Sequence, residues 1–291
     1  MPVSIPHYHH DQINDNGFTV VRNFLNEEEV EYYKKLTREI VQFARDGKWT
    51  EVRTRGKQFP PWPKNFSPDI WGVSGLLHPD MINNKALQEV YSTEKILDIA
   101  KDILQCDKDD LSMELFNMLI NPLTDFGLDW HRDYIKPEAT PEEETEQLLA
   151  NPFAGTQFNL SLTPDKCLIV IPKSHNRIRT EEEREKTQAE DRQQFISGQI
   201  TVDLNPGDVV FYNSNILHRA QYDSTQERLT LHGSYGHKNF GKFRAKGVLQ
   251  HGVGKWVNEF EPVNDNMKQL HEKLVSLSNE FKQDLGFSLD G

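Results

Sequence analysis

The chain has 291 residues, of which 36% are hydrophobic and 27% charged, and its 45 acidic and 33 basic residues give a formal net charge of -12. Because phosphate binding normally requires a basic surface, this charge argues against a nucleic-acid partner. The sequence shows no basic stretch followed by an apolar one near its beginning and no apolar run of about 18 residues, so we expect neither a secretion signal nor a membrane-spanning helix. Two cysteines, Cys106 and Cys167, lie far apart, which argues against a disulfide framework and predicts a cytoplasmic location.

The amino-terminal part of the chain is predicted to contain one strand and two capped helices. Residues 17–25 are rich in β-branched and aromatic residues, as is typical of a strand. Residues 26–47 carry apolar side chains at helical spacing behind a candidate N-cap, Asn26, and a second helix is expected from Ser92 or Thr93 onward. Between these helices, residues 48–82 are rich in proline and tryptophan, which predicts a long irregular loop.

The remaining chain alternates between strand-like runs and turn signals, which indicates an all-β sandwich or barrel core. The predicted strands cover residues 111–122, 156–164, 166–172, 198–205, 208–213 and 228–236. Residues 205–208, NPGD, are predicted to form a β-turn that joins two antiparallel strands. Charge-rich residues 137–152 and 180–195 are expected to be helical surface insertions, and a helix is expected within residues 263–285. We predict a single domain over residues 1–291.

The stretch GLDWHRDYI, residues 127–135, places His131 and Asp133 two positions apart. Side chains i and i+2 of a strand point the same way, so both could hold one metal ion, although a solvated strand end explains an isolated pair equally well. Two histidines and one carboxylate bind Fe(II) and leave three coordination positions open, so the pair requires a distant histidine. His218 stands out because it follows the predicted strand 208–213.

The other histidines are weaker candidates for the third ligand. The first three lie in a terminus predicted to fray, and the rest lie in loops or in the terminal helix without a partner motif. These residues are His7, His9, His10, His78, His237, His251 and His271.

Arg228 begins the last predicted strand, whose alternation places Arg228, Thr230 and His232 on one face and Leu229 and Leu231 on the other. A buried arginine requires an anion. This anion is either a bound carboxylate or a nearby aspartate or glutamate in a structural ion pair.

Several segments together resemble the phytanoyl-CoA dioxygenase-like branch of the Fe(II)/2-oxoglutarate-dependent oxygenases. They are DQINDNGFTVVRNFLNEEEVEYYKKL, WHRD, CLIVIPKSH and GDVVFYNSNILHRA followed by ERLTLHGSYG. The resemblance implies a double-stranded β-helix core, the jelly roll of cupin-like proteins, flanked by helices. It also implies that His131, Asp133 and His218 bind iron, that Arg228 pairs with the distal carboxylate of 2-oxoglutarate, and that Thr230 is the hydroxyl residue beside that site.

The sequence departs from the family pattern at Lys173, where the family usually has a glycine, which tolerates a positive φ in this turn. Asn117 is a candidate co-substrate contact because it is the only polar residue on its predicted strand face, although a satisfied buried amide would look the same. Trp62 and Trp71 are candidate substrate contacts in a loop that either covers the site or is pinned to the surface by its buried indoles.

The resemblance implies an enzyme that uses Fe(II), 2-oxoglutarate and dioxygen, releases succinate and carbon dioxide, and hydroxylates a small organic molecule such as a CoA ester or a secondary metabolite. Halogenating relatives replace the carboxylate ligand, so the presence of Asp133 favours hydroxylation. Residues 228–258 contain basic residues and no acidic one, which fits either an anionic substrate or a solvated basic loop. The alternatives are a non-catalytic barrel-fold binding protein and a cupin-like metalloenzyme without 2-oxoglutarate. The sequence leaves the oligomeric state open.

Overall fold

In the computed structural model, which describes residues 7–63, 65–150 and 152–281, two antiparallel β-sheets form the centre of the protein. Among these residues, one sheet has seven strands in the order β1-β9-β6-β11-β4-β3-β2 and the other has four in the order β5-β10-β7-β8. The strands are β1 Phe18–Val21, β2 Val52–Thr54, β3 Ile70–Val73, β4 Leu111–Ile120, β5 Phe126–Gly127, β6 Gly155–Ser161, β7 Leu168–Val170, β8 Ile200–Thr201, β9 Val209–Tyr212, β10 His218–Tyr222 and β11 Leu229–His237. All six strands predicted after residue 110 are present, five of them shorter than predicted and β11 at its predicted length but shifted by one residue.

The helices lie at the two ends of the chain and in its insertions. They are α1 Tyr8–Asn16, α2 Glu27–Arg45, α3 Asn84–Tyr91, α4 Glu94–Leu104, α5 Pro141–Ala150, α6 Glu181–Gln188, α7 Gly241–Val248, α8 Gly254–Trp256 and α9 Asp265–Phe281. The predicted caps of α2 and α4 are confirmed, since the side chains of Asn26 and Thr93 accept hydrogen bonds from the backbone of Glu29 and Ile96. The predicted helix within 263–285 is confirmed up to Phe281, and residues 282–285 lie outside the described residues.

The main hydrophobic core lies between the seven-stranded sheet and the helices α2, α3, α4 and α9. In β11, Leu229 and Leu231 are buried in this core, whereas Thr230 and His232 lie on the opposite face of the strand, as the alternation predicts. This opposite face borders a cavity between the two sheets. No described helix is both long enough and apolar enough to cross a membrane.

Two predictions for the amino-terminal part were wrong. Residues 8–16 form α1, where a frayed terminus was expected, because α1 packs on α4 and the carboxylate of Asp102 accepts a hydrogen bond from the backbone of His9 at 2.7 Å. Residues 48–82 were expected to be one irregular loop but contain β2 and β3, which extend the seven-stranded sheet beyond β4. In both cases contacts distant in sequence decide the local structure.

The predicted turn at residues 205–208 is present, with Gly207 at φ 88° and the backbone N–H of Asp208 bonded to the carbonyl of Asn205 at 3.0 Å. It does not join neighbouring strands, however, because β8 belongs to the smaller sheet and β9 to the larger one. The turn therefore carries the chain from one sheet to the other. Lys173 has a φ of 65°, so the lysine adopts the left-handed conformation that glycine usually provides at this position.

Residues 228–258 do not form a solvated basic loop. They comprise β11 and the helical segments that follow, and two of their arginines, Arg228 and Arg244, are buried with exposures of only 3% and 6%. Both arginines form buried ion pairs, Arg228 with Asp165 and Arg244 with Glu114.

Candidate metal centre and its cavity

The structure brings His131, Asp133 and His218 together. His131 and His218 form an isolated antiparallel bridge in which each backbone N–H donates to the other's carbonyl at 3.0 Å, so the two side chains lie side by side. Asp133 Oδ1 lies 3.8 Å from Nε2 of each histidine. One candidate ligand atom from each of the three residues lies within 4.8 Å of the others.

Hydrogen bonds to the backbone fix the orientation of both imidazole rings. Nδ1 of His131 donates to the carbonyl of Asp129 and Nδ1 of His218 to that of Ile216, each at 2.8 Å. In a neutral ring this leaves Nε2 as the unprotonated atom, and Nε2 is the atom that faces Asp133. Burial, together with nearby His218, lowers the pKa of His131 to about 4 against the opposing effect of Asp133. A neutral ring is the form that binds a metal ion.

The third candidate ligand, Asp133, is oriented by a neighbouring amide. Gln157, on β6, donates from Nε2 to Asp133 Oδ2 at 2.6 Å, so Oδ1 is left for the metal. The segment between β2 and β3 also reaches the site. Gln58 accepts a hydrogen bond from the backbone of Asp129 at 2.9 Å, and its Nε2 lies 2.9 Å from Nδ1 of His131.

The three candidate ligands line a cavity of about 370 Å³. One wall comes from the seven-stranded sheet, through Asn117, Asn159, His232 and other residues, and the opposite wall comes from β7 and β10 of the smaller sheet. The polar residues Asn117, His232 and Asn159 are paired in register across β4, β11 and β6. Burial and nearby Arg53 lower the pKa of His232 to about 3, so this ring is neutral at physiological pH.

Arg228 lies in the same cavity and forms the structural ion pair that was one of the two roles left open by the sequence. Its Nε donates to Asp165 Oδ2 at 2.9 Å, and the Thr230 hydroxyl donates to the same oxygen at 2.6 Å. Its Nη1 is buried and has no hydrogen-bond partner among the described residues. Because burial without a partner is costly for a charged donor, this atom is a candidate contact for a ligand carboxylate.

The remaining predicted site residues also line the cavity. Asn117 accepts a hydrogen bond from the backbone of Gly75 at 3.2 Å, so its amide is partly used within the protein. Trp71 is only 2% exposed and its Nε1 donates to the carbonyls of Thr54 and Lys57, which makes it a fixed wall. Trp62 packs edge-on against Trp71 with ring centroids 5.9 Å apart.

Sequence reasoning missed several cavity residues. Gln157 could have been found, because Gln157, Asn159 and Ser161 alternate as polar residues along a predicted strand. Arg53, which lines the cavity, and Asp165, the ion-pair partner of the lining residue Arg228, gave no signal, since each is a single charged residue whose neighbours in space lie far away in sequence.

The comparisons with known proteins agree with this geometry. The family model described as phytanoyl-CoA dioxygenase (PhyH) matches residues 13–229. No curated protein sequence matches the chain. Among solved structures, AviO1 from Streptomyces viridochromogenes Tue57 is 17% identical with a TM-score of 0.55, and the match covers 81% of this chain and 96% of AviO1.

Two further structures share the fold. EctD from S. alaskensis, solved with 2-oxoglutarate and 5-hydroxyectoine, is 15% identical with a TM-score of 0.59 over 82% of this chain and 78% of EctD. The epimerase SnoN from nogalamycin biosynthesis, described as non-haem and α-ketoglutarate-dependent, is 16% identical with a TM-score of 0.51 over 79% of this chain and 82% of SnoN. The predicted mainly-β, jelly-roll architecture with flanking helices is confirmed. The chain belongs to the phytanoyl-CoA dioxygenase family of iron- and 2-oxoglutarate-dependent oxygenases.

Proposed function

We propose that the protein is an Fe(II)- and 2-oxoglutarate-dependent dioxygenase that hydroxylates a small organic molecule. One observation carries this proposal. Nε2 of His131, Nε2 of His218 and Oδ1 of Asp133 converge in a cavity that Arg228 also lines, and Nη1 of Arg228 is buried without a hydrogen-bond partner among the described residues. Two neutral imidazoles and one carboxylate suit Fe(II), and a buried guanidinium N–H suits the carboxylate of a co-substrate.

In this proposal His131, Asp133 and His218 hold the iron, and Arg228 with Thr230 orients 2-oxoglutarate through its distal carboxylate. When bound, iron and 2-oxoglutarate supply the oxidation, which consumes dioxygen and releases succinate and carbon dioxide. The backbone bonds of both histidines and the Gln157 bond to Asp133 hold the ligand atoms in place before the metal arrives. The buried Trp71 helps to exclude water from one side of the cavity.

The cavity favours a small substrate. At about 370 Å³ it lies near the lower end of the range of roughly 300 to 1,000 Å³ for small-molecule sites, and the co-substrate must share this volume. A secondary metabolite of modest size fits this description. A CoA ester would place only its acyl end in the cavity, with the remainder outside.

We also propose that residues 1–291 form one domain. The cavity is lined by Arg53 and Trp71 from the amino-terminal part and by residues of β11 and the helices that follow it. The α9 helix packs against β4, so the residues beyond the family match complete the same unit.

The proposal can be tested without knowledge of the substrate. Protein prepared without oxygen and given Fe(II) and 2-oxoglutarate should develop the absorption band of a metal-bound 2-oxo acid, and admitting air should release succinate. Asp133→Ala should abolish both signals, whereas Asp203→Ala, at an exposed position in the smaller sheet's periphery, should retain them. Iron binding without 2-oxoglutarate binding would instead support the cupin-like alternative, and binding of both without succinate would support a non-catalytic protein.

The reaction type can be determined once a substrate is known, by measuring the mass of the product. Hydroxylation adds one oxygen atom, whereas epimerisation leaves the mass unchanged. Halide incorporation by the unmutated protein would contradict the role proposed for Asp133.

A further inference from the structure

Four arginines line the cavity, and two of them are already neutralised by carboxylates of the protein. Arg228 is paired with Asp165, and Arg244 forms a two-point pair with Glu114 in which Nε and Oε1 lie 2.5 Å apart. All four side chains are at most 6% exposed. The pKa values of both arginines are raised well above their usual range by these carboxylates, against the opposing effect of burial.

Of the other two, Arg219 lies over the ring of Trp130 and donates to the side chain of Gln221 at 3.0 Å. The surroundings of Arg53 differ. Its guanidinium lies over the ring of Trp71, with Cζ 5.2 Å from the ring centroid, and its Nε contacts the Ser74 hydroxyl at 3.4 Å. No carboxylate of the described residues forms an ion pair with it within 4 Å. Burial lowers the pKa of Arg53, and the partial compensation comes from Tyr222, Tyr212 and the more distant Asp133. Arg53 is therefore a cation in the cavity without its own counter-ion.

The position of Arg53 is built into the sheet. Arg53 on β2 is paired with Gly72 on β3, and Gly72 is paired with Leu119 on β4. A Cβ atom on Gly72 would lie 2.9 Å from Arg53 Cδ and 3.1 Å from the carbonyl oxygen of Met118. The missing side chain of Gly72 therefore leaves the space through which Arg53 crosses the strand toward the cavity.

The charges of the proposed complex suggest which anion Arg53 meets. Iron(II) held by one aspartate and two neutral histidines retains one positive charge, which matches one carboxylate of 2-oxoglutarate. The other carboxylate reaches Arg228, whose charge is already matched by Asp165. Arg228 can offer Nη1 as a donor, but the buried dianion still requires one further positive charge.

Arg53 and Arg228 lie against two neighbouring aromatic residues, Trp71 and Tyr222. Arg228 Cζ lies 4.9 Å from the centroid of the Tyr222 ring, and Trp71, which carries Arg53 on its face, has its centroid 5.8 Å from that ring. We infer that Arg53 is a second binding residue for the distal carboxylate of 2-oxoglutarate, supplying the charge while Arg228 and Thr230 supply directed contacts. This inference rests on the proposed function, and it assigns the co-substrate selectivity to a residue of the amino-terminal segment.

The test compares two ligands that differ only at the distal end. Iron-loaded protein without oxygen is titrated with 2-oxoglutarate and with 2-oxobutanoate, which keeps the 2-oxo acid group and lacks the distal carboxylate. Arg53→Gln should lower the affinity for 2-oxoglutarate at least about tenfold, as expected for loss of a hydrogen bond to a charged group. The affinity for 2-oxobutanoate should change less than about twofold, which is within the spread of a surface substitution. Arg53→Lys, which keeps the charge, should retain part of the preference.

Two further variants make the result specific. Arg55 lies two positions after Arg53, is exposed and pairs with Asp69. Arg55→Gln should therefore leave the affinities for both ligands unchanged. Gly72→Ala should reproduce the selective loss of 2-oxoglutarate, because its methyl group displaces Arg53. If Arg53→Gln lowered the affinity for both ligands equally, or for neither, the inference would be overturned. The second result would indicate that Arg53 contacts the substrate and not 2-oxoglutarate. Failure of the unmutated protein to bind 2-oxoglutarate would instead reject the proposed function itself.

Discussion

Substitution of Asp165 by asparagine tests the ion pair beneath the cavity. Asp165 and Arg228 are 2% and 3% exposed with N and O atoms 2.9 Å apart, and Asp165 also accepts bonds from Thr230 and from the backbone of Cys167. In Asp165→Asn the new amide group turns a donor toward Arg228 or gives up its other contacts. Breaking a buried pair on one side leaves an uncompensated charge and costs about 3 to 5 kcal/mol of unfolding free energy, a large fraction of the roughly 5 to 15 kcal/mol available to a domain.

A matched control exists on the surface of the same protein. Asp203 pairs with Lys166 at the same separation of 2.9 Å, but the side chains are 59% and 68% exposed. Asp203→Asn should therefore lower the unfolding free energy by less than about 1 kcal/mol. Urea denaturation at neutral pH measures both variants. A loss for Asp165→Asn no larger than that of the control would refute the account of Arg228 as a charge held by Asp165.

The pH dependence provides a second check on Asp165. Interactions with Arg228 and Thr230 lower its pKa in spite of burial, so its stabilising effect is present above the unfolded value of about 3.9 and is lost as the pH falls through the folded value. The difference between the unmutated protein and Asp165→Asn should stay constant from about pH 5 to pH 8 and shrink below about pH 4. A difference that shrinks instead as the pH rises toward 8 would point to another group.

Three further outcomes follow from the structure. Gly233→Ala should lower the unfolding free energy by about 1 to 3 kcal/mol, because its methyl would lie 2.6 Å from a phenylalanine ring, whereas Gly247→Ala, with open space around it, should be neutral or slightly stabilising in thermal unfolding. Gln157→Ala should lower the affinity for Fe(II) about 10- to 100-fold in an anaerobic titration, because the carboxylate of Asp133 is then free to rotate. An unchanged affinity would show that Gln157 does not orient Asp133 for the metal. Arg228→Ala, if folded, should weaken 2-oxoglutarate by about 2 to 5 kcal/mol and spare iron, with lysine rescuing only part of the loss.

The clustering of the three candidate metal ligands was predictable because these residues follow short rules. His131 and Asp133 are two positions apart, the spacing at which side chains of an extended chain point the same way. His218 follows a strand that is easily recognised from its β-branched and aromatic residues. The core strands were predictable for the same reason, since their β-branched and aromatic residues are bounded by turn signals. Family resemblance then connected segments that spacing alone could not bring together.

The parts that escaped prediction depend on pairing across the fold. The β2 and β3 strands exist because β4 offers them an edge, and nothing in a segment rich in proline and tryptophan indicates that edge. The partner of Arg228 is 63 positions earlier in the chain, at Asp165. A single charged residue has no periodicity, so the sequence could state that Arg228 requires an anion but could not say which one.

The contact between Gln58 and the segment that carries His131 and Asp133 links the opening of the Gln58 segment to the proposed binding of iron. Gln58 holds the backbone of Asp129 and touches the ring of His131, and Phe59 packs edge-on against the same ring with centroids 5.4 Å apart. The segment between β2 and β3 therefore cannot detach without loosening the side chain that would bind iron. By reciprocity, the factor by which bound iron would suppress opening of this segment equals the factor by which opening of the segment would weaken iron binding. Proteolytic cleavage near Gln58, which requires the open segment, would therefore report metal occupancy without a substrate or turnover.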